Sequence, residues 1–292
     1  ESVCIGPNAA KDSYLNIPAI MAACEITGAD AVHPGYGFLS ENARFAKILT
    51  EHNVTFIGPS PEAMRQLGDK IGAKLIAEEV GVPVAPWSRG EVRTQDEAVA
   101  AAAEIGYPLM LKATAGGGGR GIRRVDDEAD LVDAYQRTRD EAERAFGSGV
   151  VFLERLVTGA RHVEVQVISD GETAWALGVR DCSVQRRNQK VIEESASPVL
   201  GPDQVAEVKA AAERLAVKVG YRGAATVEFL YHPGDQMFAF LEVNTRLQVE
   251  HPITEVTNDF DLVKAQLRVA AGERLTDRPV EQGHAIEARL NA

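Results

Sequence analysis

The sequence predicts an α/β protein in which a partial, doubly wound parallel layer precedes a larger α+β unit. Three observations predict it. Short β-like runs alternate with helical ones in the first third. A glycine-rich loop joins two strand-like runs in the middle. Long stretches of period two then fill much of the second half. Alternating β and α segments imply a parallel sheet with helices on it, whereas grouped strands imply an α+β arrangement.

In order along the chain, 3–5, 31–32 and 55–57 read as strands, and 17–27, 41–52 and 61–67 as helices. Gly6-Pro7, Pro34-Gly35 and Gly58-Pro59 follow the strands as turn signals. Three strands are too few for a whole doubly wound sheet, so 1–68 is expected to be the remainder of a domain with a strand missing before Glu1. A helix over 69–79 stops at Gly81, and Val82-Pro83-Val84 opens a new unit, so a second domain is expected over 69–289. Within it, about 86–156 reads as a lid: helix 95–105, strand 109–112, the glycine loop, strand 122–125, helix 127–146 and strand 150–155. Strands 161–169, 173–180 and 189–194 follow, then a helix over 203–219, strands 224–231 and 237–243, and a last helix over 259–271. The end, 286–292, stops inside a strand-like pattern, with 290–292 expected to open a further domain. Both ends are expected to be cut.

Composition excludes several classes. The formal charge of −12 argues against nucleic-acid binding, which needs a basic footprint. No apolar run approaches the roughly 20 residues of a membrane span, and the start resembles no signal or transit peptide. Cys4, Cys24 and Cys182 offer neither a disulfide framework nor a zinc spacing, which fits a reducing cytoplasm.

The stretch Phe240 to His251 carries the most chemistry. Glu242, Asn244, Arg246, Gln248 and Glu250 alternate with Val243, Thr245, Leu247 and Val249. In an extended segment period two places all five polar groups on one face. A carboxylate with an amide suits a hard cation, a guanidinium suits an oxyanion, and a second carboxylate can take a proton. The alternative is a solvated strand edge. The strand ending in Lys112 runs into a loop with Gly116, Gly117, Gly118 and Gly119. Free backbone N–H groups in such a loop can close over an anion, and Lys112 would meet phosphates as a point charge. No Gly-Lys-Ser/Thr follows, and Ile122-Arg123-Arg124-Val125 reads as a second strand, so the loop is neither a Walker nor a Rossmann motif but a flap. The alternative is a flexible turn.

Together, the strand–Lys112–glycine loop, Glu228 and Phe240-Leu241-Glu242-Val243-Asn244-Thr245-Arg246 resemble the ATP-grasp superfamily. Three further stretches resemble its biotin carboxylase branch: His33 to Asn42, Arg180 to Lys190, and Arg246 to Pro252. The resemblance covers essentially the whole chain and implies an ATP-grasp fold after a partial pre-ATP-grasp domain. It implies that Lys70, Lys112 and His162 contact phosphates, that Glu154 reads the adenine amino group, and that Ile122, Leu156 and Leu230 enclose the base. It implies Mg²⁺ or Mn²⁺ held by Glu228 and Glu242 with Asn244 alongside, and their placement on two strands around a tight turn can bring the carboxylates opposite each other. It also implies bicarbonate bound by Arg246, Gln248 and Val249, with Glu250 as base, Lys190 against charge on the phosphate and Arg289 against the biotin enolate. Where the family carries His, at a ribose contact, this chain has Asn188, so altered nucleotide affinity is expected.

The activity so implied is ATP- and bicarbonate-dependent carboxylation of biotin on a carrier domain, with MgATP as cofactor. Expected partners are the biotin carboxyl carrier domain, a carboxyltransferase component and a second copy of the full-length chain. The alternatives are another ATP-grasp ligase of the carbamoyl-phosphate synthase type and an inactive ATP-binding fragment. Pro86-Trp87-Ser88 resembles some multidomain acyl-CoA carboxylases. The final acceptor, whether acetyl-CoA, propionyl-CoA, a longer acyl-CoA, pyruvate or urea, is not legible.

Overall fold

The computed structural model describes residues 2–114, 121–187 and 189–290. Gly116, Gly117, Gly118, Gly119 and Asn188 lie outside the described residues, as do Asn291 and Ala292.

The first layer is small. Helix α1 (Ile17–Thr27) starts where the Asn16 side chain accepts from the Ala19 N–H, and it ends at Gly28, whose φ of 63° suits glycine. Strand β1 (Ala31–Val32), helix α2 (Ala43–Glu51) and strand β2 (Thr55–Phe56) follow, with β1 and β2 paired in parallel. The run 3–5, expected as a strand, is not one in the structure. Apolar residues make a strand only where a neighbour pairs with them, and none does so here among the described residues. Helices α3 (Pro61–Gly68) and α4 (Lys70–Glu79) come next. Asp69 between them caps α4 by accepting from the Ile71 and Gly72 N–H groups, which fixes Lys70 at the head of that helix.

Helix α5 (Gln95–Ile105), strands β3 (Leu109–Ala113) and β4 (Ile122–Val125), helix α6 (Glu128–Phe146) and strand β5 (Val151–Arg155) build a second layer. Its antiparallel sheet runs β4-β3-β5. Leu109 and Leu111 of β3 share an apolar core with Leu131 and Tyr135 of α6 and Ala98 and Ala102 of α5. By the alternation of a strand, Met110 and Lys112 then face the other way.

The main layer contains β6 (Arg161–Asp170), β7 (Ala174–Arg186), β8 (Gln189–Ser195), α7 (Pro202–Lys218), β9 (Arg222–His232), β10 (Met237–Asn244), α8 (His251–Asn258), α9 (Leu262–Ala270) and β11 (Ala285–Ala288). Its strand order is β10-β9-β6-β7-β8-β11, antiparallel throughout. Val163, Val165 and Val167 pack with Ala73 and Ala77 of α4 and Leu215 of α7. Each fully buried valine of this kind stabilises the fold by about 1.5–3 kcal/mol. The alternate residues, Glu164 and Gln166, are fully buried on the opposite face, where Ile168 packs with Leu262 of α9. One face is thus a core, and the other is apolar under α9 and polar elsewhere.

One expectation about the end of the chain needs correction. The stretch 240–251 is not one extended segment: β10 stops at Asn244, and Glu250 is the N-cap residue of α8. Leu247 leaves the sheet to pack with Ile168 and Trp175, and Pro252 in the first turn favours the helix that follows. The helix expected at 259–271 is α9 (Leu262–Ala270), and a further helix that was not expected, α8 (His251–Asn258), precedes it and ends at Asp259 with a left-handed φ of 46°.

Candidate active site

A cleft of about 980 Å³ separates the three-stranded sheet from the polar face of the six-stranded one. Every candidate residue among those described lines it: Lys70, Lys112, Ile122, Glu154, Leu156, His162, Lys190, Glu228, Leu230, Glu242, Asn244, Arg246, Gln248, Val249, Glu250 and Arg289.

The placement of Glu242 depends on a local irregularity. Phe240 pairs with Phe229, and Glu242 pairs with Glu228, so Leu241 is an extra residue in β10. A bulge of this kind shifts the alternation by one. Phe238, Phe240 and Val243 therefore share the main core, while Glu242 and Asn244 line the cleft. Without it, Phe240 and Glu242 would point the same way. Glu242 and Glu228 end up directly opposite on adjacent strands.

Around Glu228 the polar face is densely bonded. Glu228 Oε1 accepts from Lys190 Nζ at 2.9 Å, Asn244 Nδ2 at 2.8 Å and Gln248 Nε2 at 3.2 Å. Its Oε2 is 2.8 Å from His162 Nε2, and Gln185 Nε2 lies 2.7 Å from the other ring nitrogen. Burial would push the Glu228 carboxyl up, but the His162 hydrogen bond and the Lys190 charge hold it far below the ordinary carboxylate range. Burial would likewise lower His162, but bonding to Glu228 raises it. Lys190 also pairs with Glu164, and with Glu250 Oε1 at 2.8 Å. Its ammonium is held well above the ordinary lysine value by Glu164 and Glu228 against the cost of burial.

Beneath Lys190 is a fully buried pair. Arg180 Nε donates to Glu164 Oε1 at 2.6 Å, and Arg180 Nη1 donates to Gln166 and Thr254 at 2.8 Å each. Burial alone would raise the Glu164 carboxyl, yet Arg180 and Lys190 bring it down to about 2. His162, Glu164 and Glu228 could hold a metal ion by spacing. Lys190 already bridges Glu164 and Glu228 with its own positive charge.

Glu242 is the contrasting carboxylate. It is open to the cleft, yet the surrounding protein desolvates it, and Glu228 adds repulsion, so its carboxyl is pushed up. A hard cation between the two would reverse that penalty, and two carboxylates with the Asn244 amide are the oxygen donors such a cation takes. The donor set therefore fits Mg²⁺ or Mn²⁺.

Beyond β10 the chain turns, but its polar groups still converge. Arg246 Nε donates to Glu41 Oε2 at 3.0 Å, and its Nη2 donates to Asn244 Oδ1 at 3.2 Å. Glu41 also accepts from the Thr245 N–H at 3.0 Å, tying the first layer to this loop. Arg289 Nη2 donates to Glu250 Oε2 at 2.7 Å, and its Nε lies 2.6 Å from the fully buried Glu193. On the opposite wall Lys70 Nζ donates to the Ala113 carbonyl at 3.3 Å. Glu154 is ion-paired with Lys112 and with Lys74. These lysines outweigh burial and keep Glu154 below the ordinary carboxylate range.

Residue-by-residue reading missed Glu41, Lys74, Glu164, Arg180, Gln185 and Glu193. Glu164 and Gln166 were detectable, because polar residues alternating with Val163, Val165 and Val167 repeat the pattern that drew notice to Glu242. Lys74 carried no such signal, since a lysine in a helix reads as solvated.

Residues 69–278 match the family described as carbamoyl-phosphate synthase L chain, ATP binding domain, and residues 1–64 match the biotin carboxylase N-terminal domain. The chain is 52% identical over its whole length to the biotin carboxylase of Pseudomonas aeruginosa and 49% identical to biotin carboxylase 1 of Bacillus subtilis. The chain belongs to the biotin carboxylase family.

It spans 66% of the length of these two biotin carboxylases. Among solved structures, the Campylobacter jejuni biotin carboxylase in complex with β,γ-ATP superposes with a TM-score of 0.95 at 47% identity, over 99% of this chain and 65% of that one. The biotin carboxylase domain dimer of Hydrogenobacter thermophilus 2-oxoglutarate carboxylase, which holds MgADP, ADP and bicarbonate, superposes with a TM-score of 0.91 at 43% identity, over 97% of this chain and 63% of that one. The fold is therefore the ATP-grasp fold of the biotin carboxylases. No described helix is long and apolar enough to cross a membrane.

Proposed function

We propose that this chain carries the ATP- and bicarbonate-dependent carboxylation of biotin by way of carboxyphosphate, the first half-reaction of a biotin-dependent carboxylase. The observation that carries the reading is convergence in one cleft: the Glu228–Glu242 pair, the Arg246 fork, the Glu250 carboxylate and the Lys190 ammonium all line it. The similar Hydrogenobacter thermophilus domain binds MgADP and bicarbonate, which supports the same ligands here.

In this reading Lys70, Lys112 and His162 hold the phosphates, with the glycines 116–119 and Asn188 as further nucleotide contacts. Glu154 and the apolar residues Ile122, Leu156 and Leu230 take the adenine. Glu228, Glu242 and Asn244 hold Mg²⁺ or Mn²⁺, which when bound offsets charge on the phosphate oxygens. Arg246, Gln248 and the Val249 N–H hold bicarbonate. Glu250 takes the bicarbonate proton, so that its oxygen becomes a better nucleophile for the γ-phosphorus. The bond from that phosphorus to ADP breaks as the new one forms, and Lys190 faces the charge that develops. The carboxyl C–O bond of carboxyphosphate then breaks, the released phosphate takes the proton of the biotin ureido nitrogen, and Arg289 stabilises the biotin enolate as that nitrogen bonds the carboxyl carbon.

Biotin on a carrier domain, a carboxyltransferase component and a second copy of the full-length chain are the partners this reading requires. A carbamoyl-phosphate synthase type of ligase is not favoured, because the N-terminal match and the named relatives are biotin carboxylases. The test is phosphate release by the full-length protein with free biotin. ATP cleavage should depend on bicarbonate and yield carboxybiotin. Cleavage indifferent to bicarbonate would reject the proposal.

A further inference from the structure

Lys74 lines the cleft and has none of the roles above. It lies on α4 beside Ala73, which is part of the main apolar core, and is only 2% exposed. Its Nζ is 2.7 Å from Glu154 Oε2 and 5.8 Å from the centroid of the Trp87 ring. That ring is itself held in place: Trp87 Nε1 donates to Glu78 Oε1 at 3.0 Å, and its backbone bridges to Glu154. The other oxygen of Glu154 is taken by Lys112. One buried carboxylate on β5 is therefore shared by two lysines from different layers, Lys74 from α4 and Lys112 from β3.

We propose that Lys74 is a positioning residue for the nucleotide: it is the standing counter-ion of Glu154, and so allows Lys112 to leave that carboxylate and turn to a triphosphate. This rests on the reading of the cleft as the nucleotide site. A triphosphate can recruit the Lys112 ammonium only in competition with Glu154. With Lys74 in place, Glu154 keeps an ion pair and the aromatic wall beside it. With Lys74 gone, losing Lys112 would leave a carboxylate only 5% exposed with no cation, which is strongly unfavourable. Lys112 would then stay where it is, and the phosphates would lose it. Lys74 acts through Glu154 and Lys112, with no need to touch the nucleotide.

The experiment is calorimetric titration of the full-length protein with a non-hydrolysable ATP analogue and Mg²⁺, alongside steady-state kinetics. Wild type must bind the analogue; if it does not, the reading of the cleft fails, and this inference with it. Lys74→Met should weaken binding at least ~10-fold and raise KM for ATP, leaving KM for bicarbonate and kcat near wild type. Lys74→Arg should stay close to wild type. In a Glu154→Gln background the same Lys74→Met change should not weaken binding further, because the competing charge is gone. That double variant carries no unpaired buried carboxylate, so it also serves if Lys74→Met alone folds poorly. Equal weakening by Lys74→Met in both backgrounds would overturn the inference, as would a Lys74→Met protein that folds and binds the analogue like wild type.

Discussion

Arg289 Nη2 donates to Glu250 Oε2 at 2.7 Å, so the side chain proposed to face biotin touches the one proposed as base. In the proposed reaction the two half-steps would therefore meet at one side-chain contact. Glu250→Ala should lose bicarbonate-dependent ATP cleavage by about 10²–10⁴-fold, the usual range for a general base. Arg289→Ala should keep part of that cleavage but release phosphate without carboxybiotin. Its cleavage should fall somewhat too, because Glu250 loses a neighbour that orients it. A loss of only a fewfold in Glu250→Ala, or full coupling in Arg289→Ala, would count against these roles.

The ionised form of Glu242 is disfavoured by the fold. Its folded value is raised by desolvation and by Glu228, so its ionised form opposes folding once pH rises through that value. Without divalent cations, Glu242→Gln should therefore raise Tm slightly at neutral pH, by a few degrees at most, and leave it unchanged in acid. Added Mg²⁺ should stabilise wild type and not the variant, and the variant should lose metal-dependent ATP cleavage. Thermal melts with and without Mg²⁺ at pH 5 and pH 8 separate these outcomes. Near-normal ATP cleavage in Glu242→Gln would remove Glu242 from the metal site.

How far the sequence reveals this site can be judged from particular residues. The order of strands and helices from 61 to 244 is legible because helices and strands differ in period and several helices carry a cap, as with Asp69 before α4 and Thr94 with Glu97 before α5. That the strands of Glu228 and Glu242 are neighbours is legible from the short turn between them. The bulge at Leu241 is not legible, since a one-residue shift leaves composition and propensity unchanged. Nor is the turn after Asn244, where alternation in 242–250 mimics a strand although Leu247 is drawn into a tertiary core. Glu164, Arg180 and Lys74 hide for a related reason. Their meaning lies in partners 14 or more residues away, from Arg180–Gln166 to Lys74–Glu154.

The layer built on β3, β4 and β5 has its own core, and it faces the main sheet across the cleft. If this layer is a lid over the nucleotide, it is drawn from the mobile end of the fold's stability range. Hydrogen exchange with a non-hydrolysable ATP analogue should slow most in β3 and β4, around Lys112 and Ile122, with little change in β6 and β9. Equal protection in both sheets, or none in either, would speak against a lid over about 86–156.

The last expectation concerns the pair beneath Lys190. Arg180 and Glu164 are both fully buried and lie 2.6 Å apart. Removing one partner of such a pair leaves a buried charge short of compensation, at a cost of about 3–5 kcal/mol. Lys190 also reaches Glu164, so Arg180→Met should fall toward the lower end of that range. The pH dependence follows from the same contacts. The Glu164 carboxyl drops from 4.5 to about 2 on folding, so its stabilising contribution is full above its unfolded value and fades as pH falls toward about 2. Urea midpoints of wild type should therefore decline through that acid window, and the decline should be shallower in Glu164→Gln, which has no proton to take up. Glu228, also depressed on folding, keeps part of the decline in that variant. If Arg180→Met unfolds at the wild-type urea midpoint at pH 7, the pair does not hold the polar face in place, and the position of Lys190 must come from Glu228 and Glu250 instead.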